Sequence, residues 1–367
     1  MSIILALILG ANFYVFCHLW LMIPPGSWLR PALAVFTVVA VSSVFVALFA
    51  GAKLPSILTS FLYVLGTAWF FIMLYLLMTF LLLDIVRLFR LLPVGQYLFG
   101  SWAGLGVLAA VMTLIFTGAY INYRNKKRVE LDLTLPAGQT LDRPLKIVAA
   151  SDLHLGYGIG RRELEKWVEL INAEKPDVVL LAGDVVDNSV KPLLEQDMAS
   201  ALRQIESTCG VYAVAGNHEY IGGVRNTLAF LEDAGVTVLR DSAALVDGRF
   251  YVVGRDDRSN PGRKSVAELT SGLDRSKPVI LLDHQPYHLE EAEQNGVTLQ
   301  LSGHTHHGQV WPISWITNGM YEVSHGHKQK GDTHIYVSSG LGIWGGKFRI
   351  GTRSEYVVVH LEQGIGR

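Results

Sequence analysis

The first 121 residues of this 367-residue chain carry almost no charge, and no other feature of the sequence constrains the fold so strongly. The whole chain has 31 basic and 32 acidic residues. The only basic or acidic residues between positions 1 and 121 are Arg30, Lys53, Asp84, Arg87 and Arg90. Long stretches with so little charge are typical of helices that cross a lipid bilayer. We therefore predict a transmembrane domain over residues 1–121.

Four apolar stretches in this domain are long enough to cross a bilayer, which takes about 20 helical residues. The predicted spans are Ser2–Ile23, Pro31–Ala50, Pro55–Leu83 and Leu98–Ile121. The first stretch lacks the basic leading segment and the small-residue cleavage site of a signal peptide, and we interpret it as a retained helix. The chain is thus predicted to be an integral, multi-pass membrane protein.

Basic residues near the spans favour the cytoplasm for the rest of the chain. With four spans, the N-terminus and the residues after 121 lie on the same side of the membrane. That side receives five basic residues, which are Lys53, Arg124, Lys126, Lys127 and Arg128. The other side receives Arg30, Arg87 and Arg90. Because basic loops are retained in the cytoplasm, we predict that the domain formed by residues 122–367 lies on the cytoplasmic face of the membrane. An interfacial helix over Asp84–Leu92 or a re-entrant span would change the number of basic residues assigned to each side of the membrane.

Residues 122–367 have an ordinary mixture of charges, with a formal net charge of −4. A mildly acidic domain without a clustered basic face argues against nucleic acid as a partner. The two cysteines, Cys17 and Cys209, lie in a predicted span and in the soluble part. An intramolecular disulfide is therefore not expected.

From Pro144 onward, short β-branched runs alternate with amphipathic stretches, which is the pattern of an α/β domain. The runs predicted to be buried strands are Leu145–Ala150, Asp177–Ala182, Val211–Ala215, Val279–Leu282 and Val297–Ser302. Apolar spacing predicts helices over Arg161–Asn172 and Lys191–Glu206. Further strands are predicted at Arg249–Gly254, His334–Ser338 and Glu355–Leu361.

Each of the five buried strands leads directly into a short polar motif. The motifs are Asp152-Leu153-His154, Gly183-Asp184-Val185-Val186-Asp187, Gly216-Asn217-His218-Glu219, Asp283-His284-Gln285-Pro286 and Gly303-His304-Thr305-His306. Each motif alone is unremarkable, but side chains at the carboxyl ends of neighbouring strands converge on one edge of a sheet. Together they supply a full set of ligands for two metal ions.

Catalysis by two divalent ions needs one group that bridges the ions and further ligands that fix their separation. A carboxylate has two oxygens and can bridge, and Asp184 is the natural candidate. The remaining ligands are Asp152, His154 and His306 for one ion, and Asn217, His284 and His304 for the other. Mixed imidazole, carboxylate and amide donors suit manganese, with iron, zinc, cobalt or nickel as alternatives.

His218 directly follows the predicted ligand Asn217, so it should lie beside the metals without binding them. An imidazole in that place can protonate the leaving oxygen or stabilise charge on a phosphoryl oxygen. We therefore predict His218 as the catalytic residue, with a metal-bridging hydroxide as the group that attacks phosphorus. Asp187 or Glu219 is expected to orient a neighbouring histidine.

Taken together, the five motifs resemble those of the calcineurin-like metallophosphoesterase superfamily, over roughly Arg124 to Leu361. The resemblance implies the same division of metal ligands, with His218 as the catalytic histidine. It also implies an α/β sandwich of two mixed sheets flanked by helices. The string from Tyr336 to Gly351 is similar to the membrane-associated branch of that family. The expected organisation is a domain of about four transmembrane helices (1–121), a linker with the first strand (122–143) and a metallophosphoesterase domain (144–367).

A membrane-bound enzyme gains most when its substrate also lies in the bilayer, so a lipid-linked phosphate is the predicted substrate. The bond to be cleaved is a phosphodiester or a pyrophosphate, and the lipid bilayer is the predicted partner. A soluble nucleotide or another phosphoester is the alternative substrate. A second alternative is a catalytically silent metal-binding scaffold or sensor, which the complete set of ligands and the presence of His218 disfavour.

Aromatic and basic residues lie close in sequence to the last motifs. They are Trp311, Trp315, Trp344, Lys347, Phe348 and Arg349. Simple packing competes here with a substrate groove or a contact with the membrane interface, where tryptophan is favoured. We predict Trp344, Lys347 and Arg349 as substrate-binding residues, the two basic ones meeting a lipid phosphate. His325 is of interest because it lies in a loop after the last motif.

Overall fold

The computed structural model describes residues 2–364, which divide into two compact units. One unit runs up to Ile121 and also includes Gly345–Phe348. The other runs from Asn122 to Trp344 and resumes at Arg349. We call them the helical unit and the catalytic unit. The division lies at the boundary predicted for the transmembrane domain, but no sequence pattern indicated that Gly345–Phe348 belongs to the helical unit.

Long apolar helices build the helical unit. They are α1 (Ser2–Met22), α2 (Leu29–Ala50), α3 (Ser56–Leu88), α4 (Gly95–Leu98) and α5 (Trp102–Arg124), with a 3-10 turn at Gly51–Lys53. Helices α1, α2, α3 and α5 are long and apolar enough to cross a membrane. Helix α3 has 33 residues and continues past the predicted end at Leu83.

Hydrogen bonds between helices explain how α3 continues through the charged residue Asp84. Oδ2 of Asp84 accepts a hydrogen bond from the Tyr14 hydroxyl at 2.6 Å and lies 3.0 Å from Nε2 of His18. Closer to the start of α1, Nε1 of Trp69 donates to Oδ1 of Asn12 at 2.9 Å. Polar groups in apolar helices usually pair with neighbouring helices in this way. These bonds hold α1 against α3.

The Gly345–Phe348 segment packs within the helical unit through an aromatic cluster. The ring of Phe348 lies 4.7 Å from that of Phe116 and 6.3 Å from that of Phe71, measured between centroids. A Cβ atom on Gly346 would lie 2.8 Å from Cδ2 of Phe71. Glycine is therefore required for the close approach of this segment to α3.

Two six-stranded mixed sheets form the catalytic unit. The strands are β1 (Lys127–Thr134), β2 (Leu145–Ala150), β3 (Val178–Leu181), β4 (Val211–Ala213), β5 (Thr237–Val238), β6 (Ser242–Val246), β7 (Phe250–Gly254), β8 (Val279–Leu282), β9 (Leu299–Ser302), β10 (Gly326–Lys330), β11 (Thr333–Val337) and β12 (Glu355–Glu362). The first sheet has the order β1-β12-β2-β3-β4-β5 and the second β10-β11-β9-β8-β7-β6. Strands β2 to β5 run parallel, as do β7, β8 and β9.

Short helices cover the two sheets. They are α6 (Arg161–Ala173), α7 (Lys191–Glu195), α8 (Met198–Leu202), α9 (Asn217–Ile221), α10 (Val224–Asp233), α11 (Val266–Thr270), α12 (Glu290–Gln294) and α13 (Ile313–Met320), with a 3-10 turn at His306–Gly308. The prediction of one helix over Lys191–Glu206 is wrong. The left-handed backbone of Asp197, with φ of 48°, separates α7 from α8, and α8 ends at Leu202.

The core has three layers of apolar contacts, which follow from the alternation of side chains along each strand. In β2, Ile147 and Ala149 face the second sheet, whereas Val148 and Ala150 face the helices. Helices α6, α8 and α10 pack on the outer face of the first sheet. Helices α11 and α12 pack on the outer face of the second. This arrangement confirms the predicted two-sheet sandwich flanked by helices.

Candidate metal centre

The five motifs follow β2, β3, β4, β8 and β9, and most of the predicted metal ligands have a left-handed backbone. The ligands with positive φ are Asp152 (54°), His154 (48°), Asp184 (52°), His304 (70°) and His306 (48°). Such a conformation costs a non-glycine residue about 1–3 kcal/mol and persists where the surrounding structure imposes it. Backbone strain of this kind is concentrated at functional sites.

Glycines in the motifs allow the ligand loops to approach each other. A Cβ atom on Gly303 would lie 2.3 Å from Oδ2 of Asp152. One on Gly216 would lie 2.2 Å from Oδ1 of Asp184. Both separations are far below van der Waals contact, so any side chain at these two positions would displace a metal ligand.

Asp152, His154 and His306 form the first ligand group, and their ligand atoms all lie within 4.8 Å of one another. Nε2 of His154 and Nε2 of His306 face each other at 3.0 Å. Oδ1 of Asp152 lies 3.9 Å from the first of these nitrogens and 3.5 Å from the second. Asp152 is inaccessible to solvent. These are the ligands predicted for one of the two ions.

Asp184, His284 and His304 form the second ligand group. Nε2 of His284 lies 3.1 Å from Oδ2 of Asp184. The amide oxygen of Asn217 lies 2.8 Å from Nδ1 of His304, which adds the fourth predicted ligand to this group. Oδ2 of Asp184 is also 3.8 Å from Nε2 of His154 in the first group. The Asp184 carboxylate thus reaches both groups, as a bridging ligand must.

The donor atoms fit a pair of divalent metal ions. Imidazole nitrogens bind such ions at about 2.1 Å, which places adjacent ligand atoms about 3 Å apart. The 3.0 Å separation between the facing nitrogens of His154 and His306 matches that spacing. Buried carboxylates also require compensating positive charge, which two metal ions would provide. The seven predicted ligands therefore fit a site for two divalent metal ions.

Hydrogen bonds from neighbouring groups orient the ligand histidines. Nδ1 of His284 lies 2.8 Å from the carbonyl oxygen of Ala182. Nδ1 of His154 lies 3.3 Å from Oδ1 of Asp187. In both rings the bonded nitrogen is the one that points away from the other ligands. This arrangement fixes the ring orientation of each ligand and leaves Nε2 to face the metal site.

His218 lies beside the two ligand groups and belongs to neither set of predicted ligands. Its ring packs edge-on against that of His154, with centroids 4.5 Å apart, and its backbone N–H donates to Oδ1 of Asp184 at 2.8 Å. Nδ1 of His218 is 2.8 Å from Oδ1 of Asp187. Burial alone would lower the pKa of His218, but the Asp187 and Asp184 carboxylates raise it to about 9. The two carboxylates thus favour the charged form of the His218 ring.

Glu219 orients backbone groups of the two ligand loops. Its buried carboxylate accepts hydrogen bonds from the N–H groups of Asp184 at 3.0 Å, Val186 at 2.8 Å and Gly216 at 2.7 Å. Burial and the nearby Asp184 carboxylate raise the pKa of Glu219 to about 7. Of the two residues predicted to orient a histidine, Asp187 does so, whereas Glu219 joins the two ligand loops.

Replacing Glu219 with alanine should lower the stability of the catalytic unit by about 3 kcal/mol or more. Three buried N–H groups would lose their acceptor, and each such loss costs about 1–3 kcal/mol. Thermal unfolding of the detergent-purified protein would measure the change. Glu232→Ala, which removes an exposed carboxylate from α10, is the matched control. Equal melting temperatures for the two variants would show that the loops do not depend on Glu219.

The structure gives Arg349 a structural role in place of the predicted contact with a lipid phosphate. Its side chain is 1% exposed, and the guanidinium donates to the carbonyl oxygens of His306 at 2.7 Å and Ser339 at 2.5 Å. A longer bond of 3.2 Å reaches the carbonyl oxygen of Gly342. Burial lowers the pKa of Arg349 to about 10. Arg349 thus holds the loop that carries the metal ligand His306.

The other two residues predicted to bind substrate belong to different units. Lys347 lies in the Gly345–Phe348 segment of the helical unit. Trp344 is half-buried in the catalytic unit, and its carbonyl oxygen accepts a hydrogen bond from Nε2 of Gln309 at 3.1 Å. Contact of Lys347 and Trp344 with a substrate remains a prediction.

Three residues that no motif indicated form a series of contacts that starts at the second ligand group. The ring of Tyr321 is 6.3 Å from that of His304, and its hydroxyl accepts a hydrogen bond from the hydroxyl of Tyr287 at 3.1 Å. The exposed guanidinium of Arg258 lies 4.0 Å from the centroid of the Tyr287 ring. The sequence offers one signal for this cluster, the position of Tyr287 three residues after the ligand His284.

His325 also has partners outside the ligand groups. Its Nε2 lies 3.1 Å from both carboxylate oxygens of Glu355, which is buried. Its ring stacks on His307, with centroids 4.7 Å apart and planes inclined by 10°. The Tyr336 hydroxyl donates to the same carboxylate at 2.9 Å. His325 therefore belongs to a buried polar network behind the His306 turn.

Comparison with known proteins shows that all of these ligands lie within one recognised type of domain. Residues 145–308 match the family model described as calcineurin-like phosphoesterase, and this range contains the seven predicted ligands and His218. An uncharacterized metallophosphoesterase of Helicobacter pylori is 34% identical over 263 residues, which cover 70% of each chain. A transmembrane protein with metallophosphoesterase domain of Danio rerio is 32% identical over 282 residues, covering 70% of this chain and 62% of that one.

A mammalian relative and a solved structure are also similar to this chain. The Bos taurus transmembrane protein with metallophosphoesterase domain is 31% identical over 243 residues, covering 59% of this chain and 53% of the relative. The NAD nucleotidase of Haemophilus influenzae is 15% identical, with a TM-score of 0.38, and the match covers 54% of this chain and 45% of that one.

Proposed function

This chain belongs to the calcineurin-like metallophosphoesterase family, and from that premise we propose that it is a membrane-anchored phosphohydrolase that acts on a lipid-linked phosphate. The bond cleaved would be a phosphodiester or a pyrophosphate. One observation carries the catalytic part of the proposal, namely the two ligand groups that share Asp184 with His218 beside them. Family membership and this geometry make the chain a metal-dependent phosphoesterase.

The residues of the site have different roles in hydrolysis. Two divalent ions, when bound, supply the Lewis acidity that activates a water molecule and polarises the phosphoryl oxygen. The residues that would hold them are Asp152, His154 and His306 for one ion, Asn217, His284 and His304 for the other, with Asp184 shared. Asp187 holds His218 through Nδ1, which leaves Nε2 as the atom that can donate a proton to the leaving oxygen. We propose manganese as the resident metal, with iron, zinc, cobalt or nickel as alternatives.

Two features of the chain support a substrate in the bilayer. The helical unit contains four helices that are long and apolar enough to cross a membrane. Helix α5 ends at Arg124 and β1 begins at Lys127, so at most about 11 Å of chain separates them. A catalytic unit attached so closely to a bilayer meets lipid-linked phosphates at high local concentration. The basic residues that flank the spans favour the cytoplasmic side for this multi-pass protein.

Turnover of two matched p-nitrophenyl esters tests the proposal. Detergent-purified protein should hydrolyse bis-p-nitrophenyl phosphate only with added Mn²⁺ or another divalent ion. In nanodiscs, the p-nitrophenyl ester of phosphatidic acid should be cleaved with a higher kcat/KM than the soluble diester. Turnover of soluble nucleotides with no preference for the lipid ester would support a soluble substrate instead. A folded, metal-loaded protein that cleaves none of these compounds would contradict an enzymatic function.

Replacing Arg258 with alanine should raise KM about tenfold for a substrate with a second anionic group, such as a pyrophosphate. Arg258 is exposed over the ring of Tyr287, whose hydroxyl bonds to Tyr321 next to His304. A charge-assisted hydrogen bond of about 1.4 kcal/mol corresponds to a factor of ten in binding. Steady-state kinetics on a pyrophosphate and on a monoester would measure the effect. Arg225→Ala, which removes an exposed arginine from α10, serves as the control. An equal change on both substrates would contradict a contact with the second anionic group.

A further inference from the structure

Exposed apolar side chains of the catalytic unit are concentrated in one short segment. Among the described residues of that unit, seven large apolar side chains are exposed, and four of them lie between residues 311 and 320. These four are Trp311 (40% exposed), Trp315 (67%), Ile316 (59%) and Met320 (62%). The other three are Leu194, Ile221 and Leu245, which lie on separate elements. Clustering of this degree indicates a contact surface.

The segment is ordered and uncharged. Helix α13 carries the sequence Ile-Ser-Trp-Ile-Thr-Asn-Gly-Met, which contains no acidic or basic residue. The backbone N–H of Trp311 donates to the carbonyl oxygen of Ile350 at 2.7 Å, and the rings of Trp311 and Trp315 meet edge to face at 5.4 Å. The apolar side chains are therefore presented by a fixed backbone.

Both ends of this segment lie next to residues of the metal centre. At its start, a Cβ atom on Gly308 would lie 2.4 Å from the backbone nitrogen of Ser314, so the turn that carries His306 packs directly on α13. At its end, Tyr321 follows Met320 and places its ring 6.3 Å from that of the ligand His304. Helix α13 thus forms part of the rim of the metal site.

We propose that Trp311 and α13 form a surface, here called the α13 face, that inserts into the boundary between head groups and acyl chains of the bilayer. The bilayer is the one that holds the chain's own helices, and the α13 face would guide a lipid-linked phosphate from it to the metals. Tryptophan is favoured at this depth, and uncharged apolar helix faces lie there. The guiding role rests on the proposed function, whereas contact with the bilayer does not.

The size of the α13 face argues against a second copy of the chain as its occupant. Its four exposed side chains offer on the order of 500 Å² of surface, since large aromatic side chains present about 150–250 Å² each. A stable protein interface takes about 800 Å² from each partner. The connection between α5 and β1 runs only from Arg124 to Lys127, so a bilayer that holds α5 lies within reach of the catalytic unit and is the occupant that we infer.

Fluorescence quenching in nanodiscs tests the contact directly. In the full chain, Cys17 and Cys209 are replaced with serine, and Ile316→Cys is labelled with an environment-sensitive nitrobenzoxadiazole group. The nanodiscs contain phosphatidylethanolamine and phosphatidylglycerol with brominated acyl chains. We expect strong quenching of the label at position 316 and little at position 194. Leu194→Cys is the matched control because Leu194 is 64% exposed on α7.

Three outcomes would overturn the contact. They are no quenching at position 316, equal quenching at both positions, and protection of position 316 from aqueous iodide without quenching by the brominated lipid. The last result would show that protein covers the face.

The guiding role has a separate readout. Trp315→Ala combined with Ile316→Ser should lower kcat/KM for the p-nitrophenyl ester of phosphatidic acid about tenfold relative to the soluble diester. The guiding role would be overturned if position 316 were quenched but the double variant kept the wild-type ratio of kcat/KM for the lipid ester to kcat/KM for the soluble diester. Quenching with no turnover of the lipid ester by the wild type would contradict the proposed function and retain the contact.

Discussion

Replacing Asp184 with alanine should reduce kcat on bis-p-nitrophenyl phosphate by about 10³-fold or more, the largest loss expected for any single residue. Its carboxylate is shared by the two ligand groups, with Oδ2 at 3.1 Å from Nε2 of His284 and 3.8 Å from Nε2 of His154. Metal ions contribute several kcal/mol to transition-state stabilisation, and each 1.36 kcal/mol is a factor of ten in rate. Metal content should fall from two ions per chain to one or fewer, measured by elemental analysis.

Two further variants separate loss of metal from loss of structure. Asp184→Asn retains the shape of the side chain and removes its negative charge, so it should lose activity while keeping the melting behaviour of a folded protein. Asp332→Ala removes an exposed carboxylate from the turn between β10 and β11 and should retain two ions and full activity. If Asp184→Ala kept both ions and its rate, the assignment of a shared ligand would be wrong.

Replacing His218 with alanine should lower kcat by about 10²–10⁴ on an alkyl phosphodiester and by much less on a p-nitrophenyl ester. General acid catalysis contributes an effect of this size when the leaving group needs a proton. The p-nitrophenolate ion leaves without one, so the loss of the imidazole matters less. Because His218 is not among the predicted metal ligands, the variant should retain both metal ions.

The dependence on the leaving group distinguishes the two roles open to His218. A loss that is equal on alkyl and p-nitrophenyl esters would indicate stabilisation of charge on the phosphoryl oxygen instead of proton donation. His288→Ala is the matched control, because the side chain of His288 is 59% exposed and pairs only locally with Glu290. A change in metal content in His218→Ala would contradict its placement outside the ligand sets.

The sequence was most informative where local pattern and chemistry coincide. The strands Leu145–Ala150 and Val279–Leu282 were predicted with the boundaries that the structure shows. Their apolar β-branched runs are bounded by polar motifs, so both ends are marked in the sequence. The ligand set was equally readable, since each ligand follows a parallel strand and the ends of such strands must converge.

Features that depend on distant contacts were not readable from the sequence. The break between α7 and α8 occurs at Asp197, whose side chain and backbone pair with Arg161 on another helix. Arg349 looked like an exposed phosphate ligand because nothing local shows that its guanidinium would be enclosed by three carbonyl groups. The role of Glu219 was not readable for the same reason, since its three partners belong to two different loops.

Strand β12 lies between β1 and β2, and this order determines when the catalytic unit can be completed during biosynthesis. Glu355–Glu362 pairs in parallel with Lys127–Thr134 and in antiparallel fashion with β2, although both neighbours are synthesised more than 200 residues earlier. Until β12 leaves the ribosome, the edges of β1 and β2 that pair with it in the folded chain are unpaired, and such edges are prone to aggregation. A chain truncated before residue 355 would keep both edges unpaired and should aggregate instead of completing the catalytic unit.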